Sequence, residues 1–238
     1  MADDVSKSPE RISGMFDAIA GRYDFLNHFL SAGIDRRWRR RAVASLALTG
    51  RERVLDLCTG TGDLAIAAVR ARPGAARVVG VDFAAAMLAI GDRKIGTHHL
   101  QQAIALVRGD ATRLPMADAS VDAVTIGFGI RNVDDVLAAC GEIFRVLRPH
   151  GRLAILEFAI PCTPGFRQAY LWYLRHLLPR IGRAISRHDG AYRYLQTSID
   201  AFASPDEFVK LLRQSGFTQL RAVPLTFGSV ILYTACRS

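Results

Sequence analysis

VLDLCTGTGDLAI, residues 54–66, runs from an apolar stretch through a glycine loop into a helical pattern. A glycine loop between a strand and a helix brings bare backbone N–H groups up against a ligand. Gly60-x-Gly62-x-x-Ala65 also satisfies the loose fingerprint of a dinucleotide site, so the loop alone leaves its ligand open.

The segments around it settle the fold class. RVLDL (53–57), ARVVGVD (76–82), IALVRGD (104–110), VDAVTIGFG (121–129) and RLAILEF (152–158) are short β-branched and aliphatic runs. Helical patterns separate them: one follows the loop to about Arg72, another carries Met87, Leu88, Ile90 and Ile95, and a third spans 133–147 before Arg148-Pro149-His150-Gly151. This alternation predicts a mostly parallel α/β sheet with helices on both faces and its ligand at the carboxyl ends of the strands. A helix follows at 204–216, with Ser204 as N-cap, Pro205 at its first position and Gly216 as its stop. The remaining residues read as two antiparallel edge strands joined near Gly228, which makes a seven-stranded sheet. Residues 1–48 form an N-terminal helical cap and residues 163–200 a helical insertion on a single domain, 1–238.

Half of the 238 residues are hydrophobic and 22% are charged, as in a globular protein. No apolar stretch approaches the ~18–20 residues needed to span a bilayer, and the polar N-terminus is no signal peptide. A cytoplasmic protein is expected. Cys58, Cys140, Cys162 and Cys236 are scattered, so they read as reduced, buried thiols, with no metal site. The net charge of +9 suits nucleic acid, an anionic membrane or plain solubility.

Three acids stand at successive strand ends: Asp56, Asp82 and Asp110. Asp82, about twenty residues past the loop, is where a ribose-binding carboxylate sits with either nicotinamide or S-adenosylmethionine cofactors. The loop discriminates between them. Asp56 and Asp63 flank CTGTG and would repel a pyrophosphate, whereas a cationic sulfonium favours carboxylates. The cofactor expected is S-adenosylmethionine. Each acid has a plainer role open to it: Asp63 in a helix first turn, Asp82 as an N-cap, Asp110 in a turn.

VLDLCTGTGD, VVGVD, GDATRLPM, FGIRNVDD, FRVLRPHGRLAILEF, the N-terminal YDFLNHFLSAGIDRRWRR and the distal YRYLQTSIDAF together resemble the ubiquinone/menaquinone biosynthesis C-methyltransferases, over residues 14–237. The resemblance implies a class I methyltransferase-like Rossmann fold. It implies methyl transfer from S-adenosylmethionine to a ring carbon of a polyprenylated benzoquinol or naphthoquinol such as demethylmenaquinol. Its cofactor contacts would be the loop with Gly60, Thr61 and Gly62 beside Asp56, then Asp82 at the ribose, Asp110 and Ala111 around the adenine, and Gly127, where relatives often have Ser. Asp35 stands where many relatives have His and receives no catalytic role.

Carbon methylation needs an ionised ring hydroxyl, in-line placement and a proton acceptor. Arg131 and Asn132 follow the fourth strand at the ligand edge. Arginine stays protonated, so Arg131 is expected to hold a phenolate oxygen or a water, with Asn132 as its partner; a surface salt bridge to Asp134 or Asp135 is the plainer alternative. Tyr23 and Asp24 are candidates from the cap, Asp24 as proton acceptor through water, and Glu157, at the end of the fifth strand, is a candidate to support them indirectly. Residues 164–187 interleave Tyr and Leu with Arg, which suits either an interfacial helix touching the inner face of the membrane or a buried insertion. An RNA-directed protein using Arg36–Arg41, a nicotinamide oxidoreductase and a methyltransferase for another lipid or small molecule are the rivals. No RNA-binding pattern is present, and a homodimer is left open.

Overall fold

The computed structural model describes residues 33–71, 77–177 and 189–238, with Gly14, Ser31 and Arg180. Seven strands, β1 (Arg53–Leu57), β2 (Arg77–Asp82), β3 (Ile104–Arg108), β4 (Val121–Gly127), β5 (Leu147–Phe158), β6 (Phe217–Leu225) and β7 (Val230–Arg237), form one sheet in the order 3-2-1-4-5-7-6. The first five are parallel, and β7 runs antiparallel between β5 and β6. The helices are α1 (Asp35–Ser45), α2 (Asp63–Ala71), α3 (Ala85–Thr97), α4 (Val136–Val146), α5 (Phe166–Trp172), α6 (Asp189–Asp200) and α7 (Pro205–Gln214).

The central strands read as continuous apolar runs because both of their faces are covered. Side-chain alternation divides them between two cores. Leu55, Leu57, Val124 and Ile126 meet Ile143 of α4 and Phe208 of α7 on one face. Val54 and Ala123 meet Trp38 and Val43 of α1 and Ala65 and Val69 of α2 on the other. Trp38 meets Phe128 edge-on and Phe128 stacks on Phe158 at the second core, with ring centroids 5.9 and 4.4 Å apart.

Several boundaries differ from the sequence reading. The helix expected at 133–147 begins at Val136; Asp135 caps it by accepting from the Ala138 N–H at 2.9 Å, and Ile130–Asn132 forms a separate 3-10 turn. β5 begins at Leu147 rather than Arg152. Leu147 pairs with Val121, the register then shifts, and Arg152 pairs with Ala123. The helix does end at Val146, within one residue of the expected stop, but Arg148-Pro149-His150-Gly151 is an irregularity inside a strand, with His150 at φ 64°. α7 starts as expected: Ser204 and Glu207 exchange hydrogen bonds in a capping box behind Pro205. The terminal hairpin turns through Thr226–Gly228, and β6 carries its own register shift near Gln219 (φ 50°) and ends beside Pro224.

Of the cysteines only Cys140 is buried; Cys58 and Cys236 are half-buried and Cys162 is exposed, so the expectation of four buried thiols fails. Among the described residues no helix is long and apolar enough to cross a membrane, and no group of three or more His, Cys, Asp or Glu is placed to hold a metal ion.

Candidate active site

A cavity of about 530 Å³ opens at the carboxyl ends of the parallel strands, within the ~300–1,000 Å³ usual for small-ligand sites. Leu57, Asp82 and Gly127 bring the ends of β1, β2 and β4 to its wall, and Asp110 follows β3. Val81, Met87, Phe128 and Val133 supply apolar surface. Four carboxylates, Asp82, Asp110, Asp134 and Asp135, line it, and no Lys, Arg or His does so among the described residues.

The glycine loop owes its shape to what lies beneath it. Gly60 and Gly62 take φ 56° and 80°, values that cost a side chain strain. Asp56 of β1 is 1% exposed. Its Oδ2 accepts from Thr59 Oγ1 at 2.5 Å and the Ala65 N–H at 3.1 Å, and its Oδ1 accepts from Thr125 Oγ1 at 2.7 Å. Asp56 therefore ties the loop to α2 and β4 and is not among the residues lining the main cavity. Burial pushes its carboxyl up from 3.8 to about 6, against the lowering effect of those hydrogen bonds and of Arg39. Below pH 4 the group is protonated in folded and unfolded chains alike; above 6 only the folded chain carries a buried charge. The stability it contributes is thus present at low pH and lost as the pH rises through about 6. The shift corresponds to something on the order of 3 kcal/mol. Melting wild type and Asp56→Asn side by side from pH 4.5 to 7.5 should show wild type losing ground to the variant across that range; a constant difference would mean that Asp56 is ionised throughout.

The second acid of the loop is also spent elsewhere. Asp63 opens α2 and receives Lys94 Nζ on Oδ1 at 2.5 Å and Arg39 Nη2 near Oδ2 at 3.4 Å. Lys94 donates to Thr61 Oγ1 at 3.0 Å, and Arg39 pairs with the buried Asp35 of α1. Neither Asp63, Thr61 nor Gly62 lines the main cavity. The preference for a cation over a pyrophosphate therefore does not come from Asp56 and Asp63, as the sequence suggested. The carboxylates that line the cavity are Asp82, Asp110, Asp134 and Asp135; in the sequence, Asp134 and Asp135 read only as salt-bridge partners for Arg131.

Asp82 and Asp110 do reach the cavity. Asp82 accepts from the Gly60 N–H on Oδ2 at 2.8 Å and from the Ala84 N–H on Oδ1 at 2.9 Å. Ala84, not Asp82, is the N-cap of α3. Asp110 accepts from the Thr112 N–H and hydroxyl on Oδ1, each at 2.8 Å, which turns its other oxygen loose from that contact. Ala111 and Gly127 lie on the same wall. A Cβ on Gly127 would stand 3.3 Å from Leu64 Cδ2, so a serine there would need Leu64 to give by a few tenths of an ångström. Burial and then Asp82, Asp56 and Glu157 hold the thiol pKa of Cys58, beside the loop, well above its ordinary value.

Arg131 is 4% exposed, and the surface salt bridge to Asp134 or Asp135 is not formed. Its Nη1 donates to Glu157 Oε1 at 2.8 Å and to the Phe128 carbonyl, and its own N–H donates to Glu157 Oε2 at 3.2 Å. Nε donates to Ser198 Oγ of α6 at 3.3 Å, and the guanidinium sits 5.4 Å from the Phe158 ring centroid. Asn132, next in sequence, lines the cavity and accepts from the Tyr194 hydroxyl at 3.1 Å. Tyr194 and Ser198 were not singled out from the sequence; their spacing of four on one helix was the available signal. Tyr23 and Asp24 lie outside the described residues.

The model of the ubiE/COQ5 methyltransferase family matches residues 4–237. The chain belongs to that family. A ubiquinone/menaquinone biosynthesis C-methyltransferase of Syntrophotalea carbinolica is 48% identical over 94% of this chain and 93% of its own length. A demethylmenaquinone methyltransferase of Thermus thermophilus is 46% identical over 94% of this chain and all of its own. Among solved structures, a SAM dependent methyltransferase from Aquifex aeolicus superposes with a TM-score of 0.63 at 16% identity, covering 84% of this chain and 89% of that one. That likeness shows the fold alone: the Rossmann-like α/β architecture expected from the sequence. Membership makes the chain an S-adenosylmethionine-dependent methyltransferase, and the acid-lined, cation-free cavity fits that cofactor.

Proposed function

We propose that this enzyme methylates a ring carbon of a polyprenylated quinol, demethylmenaquinol or 2-methoxy-6-polyprenyl-1,4-benzoquinol, in respiratory quinone biosynthesis. The observation that carries this reading is one cavity lined by Asp82, Asp110, Asp134 and Asp135, suited to a sulfonium, and by Asn132, whose neighbour Arg131 is buried against Glu157. Relatives of this family named for ubiquinone and menaquinone biosynthesis support the substrate class.

S-adenosylmethionine supplies an electrophilic methyl group on a positively charged sulfur. Asp82 receives the ribose hydroxyls, Asp110 and Ala111 the adenine, and the Gly60 and Gly127 backbones the remaining polar edge. Asp56, Thr61 and Gly62 hold the loop from behind. On the substrate side, Asn132 donates to a ring oxygen that ionises, and Arg131 adds positive charge just behind it. The new ring C–CH₃ bond forms as the S–CH₃ bond breaks, S-adenosylhomocysteine leaves, and the ring carbon sheds its proton to an acceptor for which Asp24, through water, is the candidate.

The tail is delivered from an anionic membrane surface on the cytoplasmic side. From Phe158 to His188 the chain has no Asp or Glu and carries Arg167, Arg175, Arg180, Arg183 and Arg187. Trp172 is 56% exposed, and Phe227 is 70% exposed with its ring 5.0 Å from that of Phe166. Arginines around exposed aromatic side chains suit a lipid interface.

One assay tests the function. Purified protein, labelled S-adenosylmethionine and chemically reduced demethylmenaquinone in phosphatidylglycerol vesicles should give labelled menaquinol. Label in neither the naphthoquinol nor the benzoquinol counterpart would reject the reading.

A further inference from the structure

Two hydroxyls of α6, Tyr194 and Ser198, stand one helical turn apart and therefore on one face. They bond to two consecutive residues, Arg131 and Asn132, the second of which lines the cavity. Ser198 is fully buried; its hydroxyl donates to the Leu195 carbonyl at 2.9 Å, which leaves a lone pair for Arg131 Nε at 3.3 Å. The Tyr194 hydroxyl donates to Asn132 Oδ1 at 3.1 Å. With Oδ1 engaged there, the amide group that Asn132 has left for the cavity is Nδ2, a donor with no acceptor among the described residues.

We infer that Tyr194 is a positioning residue that fixes the Asn132 amide so that it presents N–H to the ring oxygen of the substrate. This deepens the quinol reading and rests on it. The direction of the amide matters because the two faces have opposite effects. An N–H donor favours an ionised ring oxygen, whereas an amide oxygen would favour the protonated one. Asp82, Asp110, Asp134 and Asp135 line the same cavity as Asn132, and the Arg131–Glu157 pair lies next to Asn132 in the chain. Four carboxylates disfavour a phenolate in this cavity, so a misdirected amide would leave little to counter them. α6 thus reaches the chemistry through Asn132 without touching the reacting atoms.

The test is the pH dependence of kcat with a short-tailed, reduced demethylnaphthoquinol, for wild type, Tyr194→Phe, Asn132→Ala and the double variant. A hydrogen bond to a charged oxygen shifts its ionisation by roughly one pH unit. Tyr194→Phe should move the acid limb of the profile up by about one pH unit and lower kcat about tenfold at neutral pH. Binding of S-adenosylhomocysteine should stay within about twofold by calorimetry, since Tyr194 lies off the cofactor wall. Adding Tyr194→Phe to Asn132→Ala should change nothing further. A limb that stays where wild type has it, a kcat lowered equally at every pH, or additive losses in the double variant would overturn the inference. If wild type methylates no quinol at all, the quinol reading fails first and takes this one with it.

Discussion

Glu157→Ala is expected to lower folding stability by about 3–5 kcal/mol, because it strands a buried guanidinium. In a chain of this size that is a fall in melting temperature on the order of 10 °C. Arg131 would lose its only carboxylate among the described residues, and the Arg131 and Phe158 N–H groups would lose the acceptor they share, at 3.2 and 2.8 Å. Glu157→Gln keeps one acceptor oxygen, enough for one of the two backbone donors that now use Oε2 and Oε1, but not the charge, so it should fall between wild type and alanine in urea or thermal denaturation. Methyl transfer should fall in both, since Arg131 and Asn132 then lose the anchor behind their turn. A Glu157→Ala protein as stable as wild type would show that the pair is not formed.

Asp82→Ala is expected to weaken S-adenosylmethionine binding by at least roughly a hundredfold. Two hydrogen bonds to a charged acceptor are each worth about 1.5–3 kcal/mol, and tenfold in affinity is about 1.4 kcal/mol. The variant also releases the Gly60 N–H that Asp82 holds at 2.8 Å, so the loop loses a latch together with its ribose acceptor. Asp110→Ala should cost less, about tenfold, because Thr112 already claims one of its oxygens. Calorimetry with both the methyl donor and S-adenosylhomocysteine measures this, and the charged donor should suffer more than the neutral product. Unaltered affinity in Asp82→Ala would place the cofactor somewhere else.

Much of the frame was legible in the sequence because parallel strands buried on both faces must be apolar end to end, and the helices between them must be amphipathic. The alternation from Val54 to Phe158 carried that information locally. What was not legible depends on residues far apart in the chain. Asp56 reads as an acid at a loop edge until Thr125, brought alongside by β4, covers it. Asp63 reads as bare charge until Arg39 and Lys94 arrive from α1 and α3. Arg131 reads as a residue free to hold a substrate oxygen, or as a surface cation beside Asp134 and Asp135, until Glu157 is seen at the end of the neighbouring strand. In each case the residue type was noticed and its partner was not, since ion pairs of this kind leave no periodic trace. The strand start at Leu147 was hidden for another reason: Pro149 and Gly151 are turn signals, and here they mark an irregularity that the strand absorbs.

The outer margin formed by β6 bears on how copies of this enzyme can meet. A strand broken by the shift near Gln219 and carrying Pro224, which has no N–H to give, is a poor template for a neighbour. β3, at the opposite margin, is only five residues long. Growth of the sheet from molecule to molecule is discouraged at both ends, so filaments built by ribbon extension are disfavoured however concentrated the protein becomes.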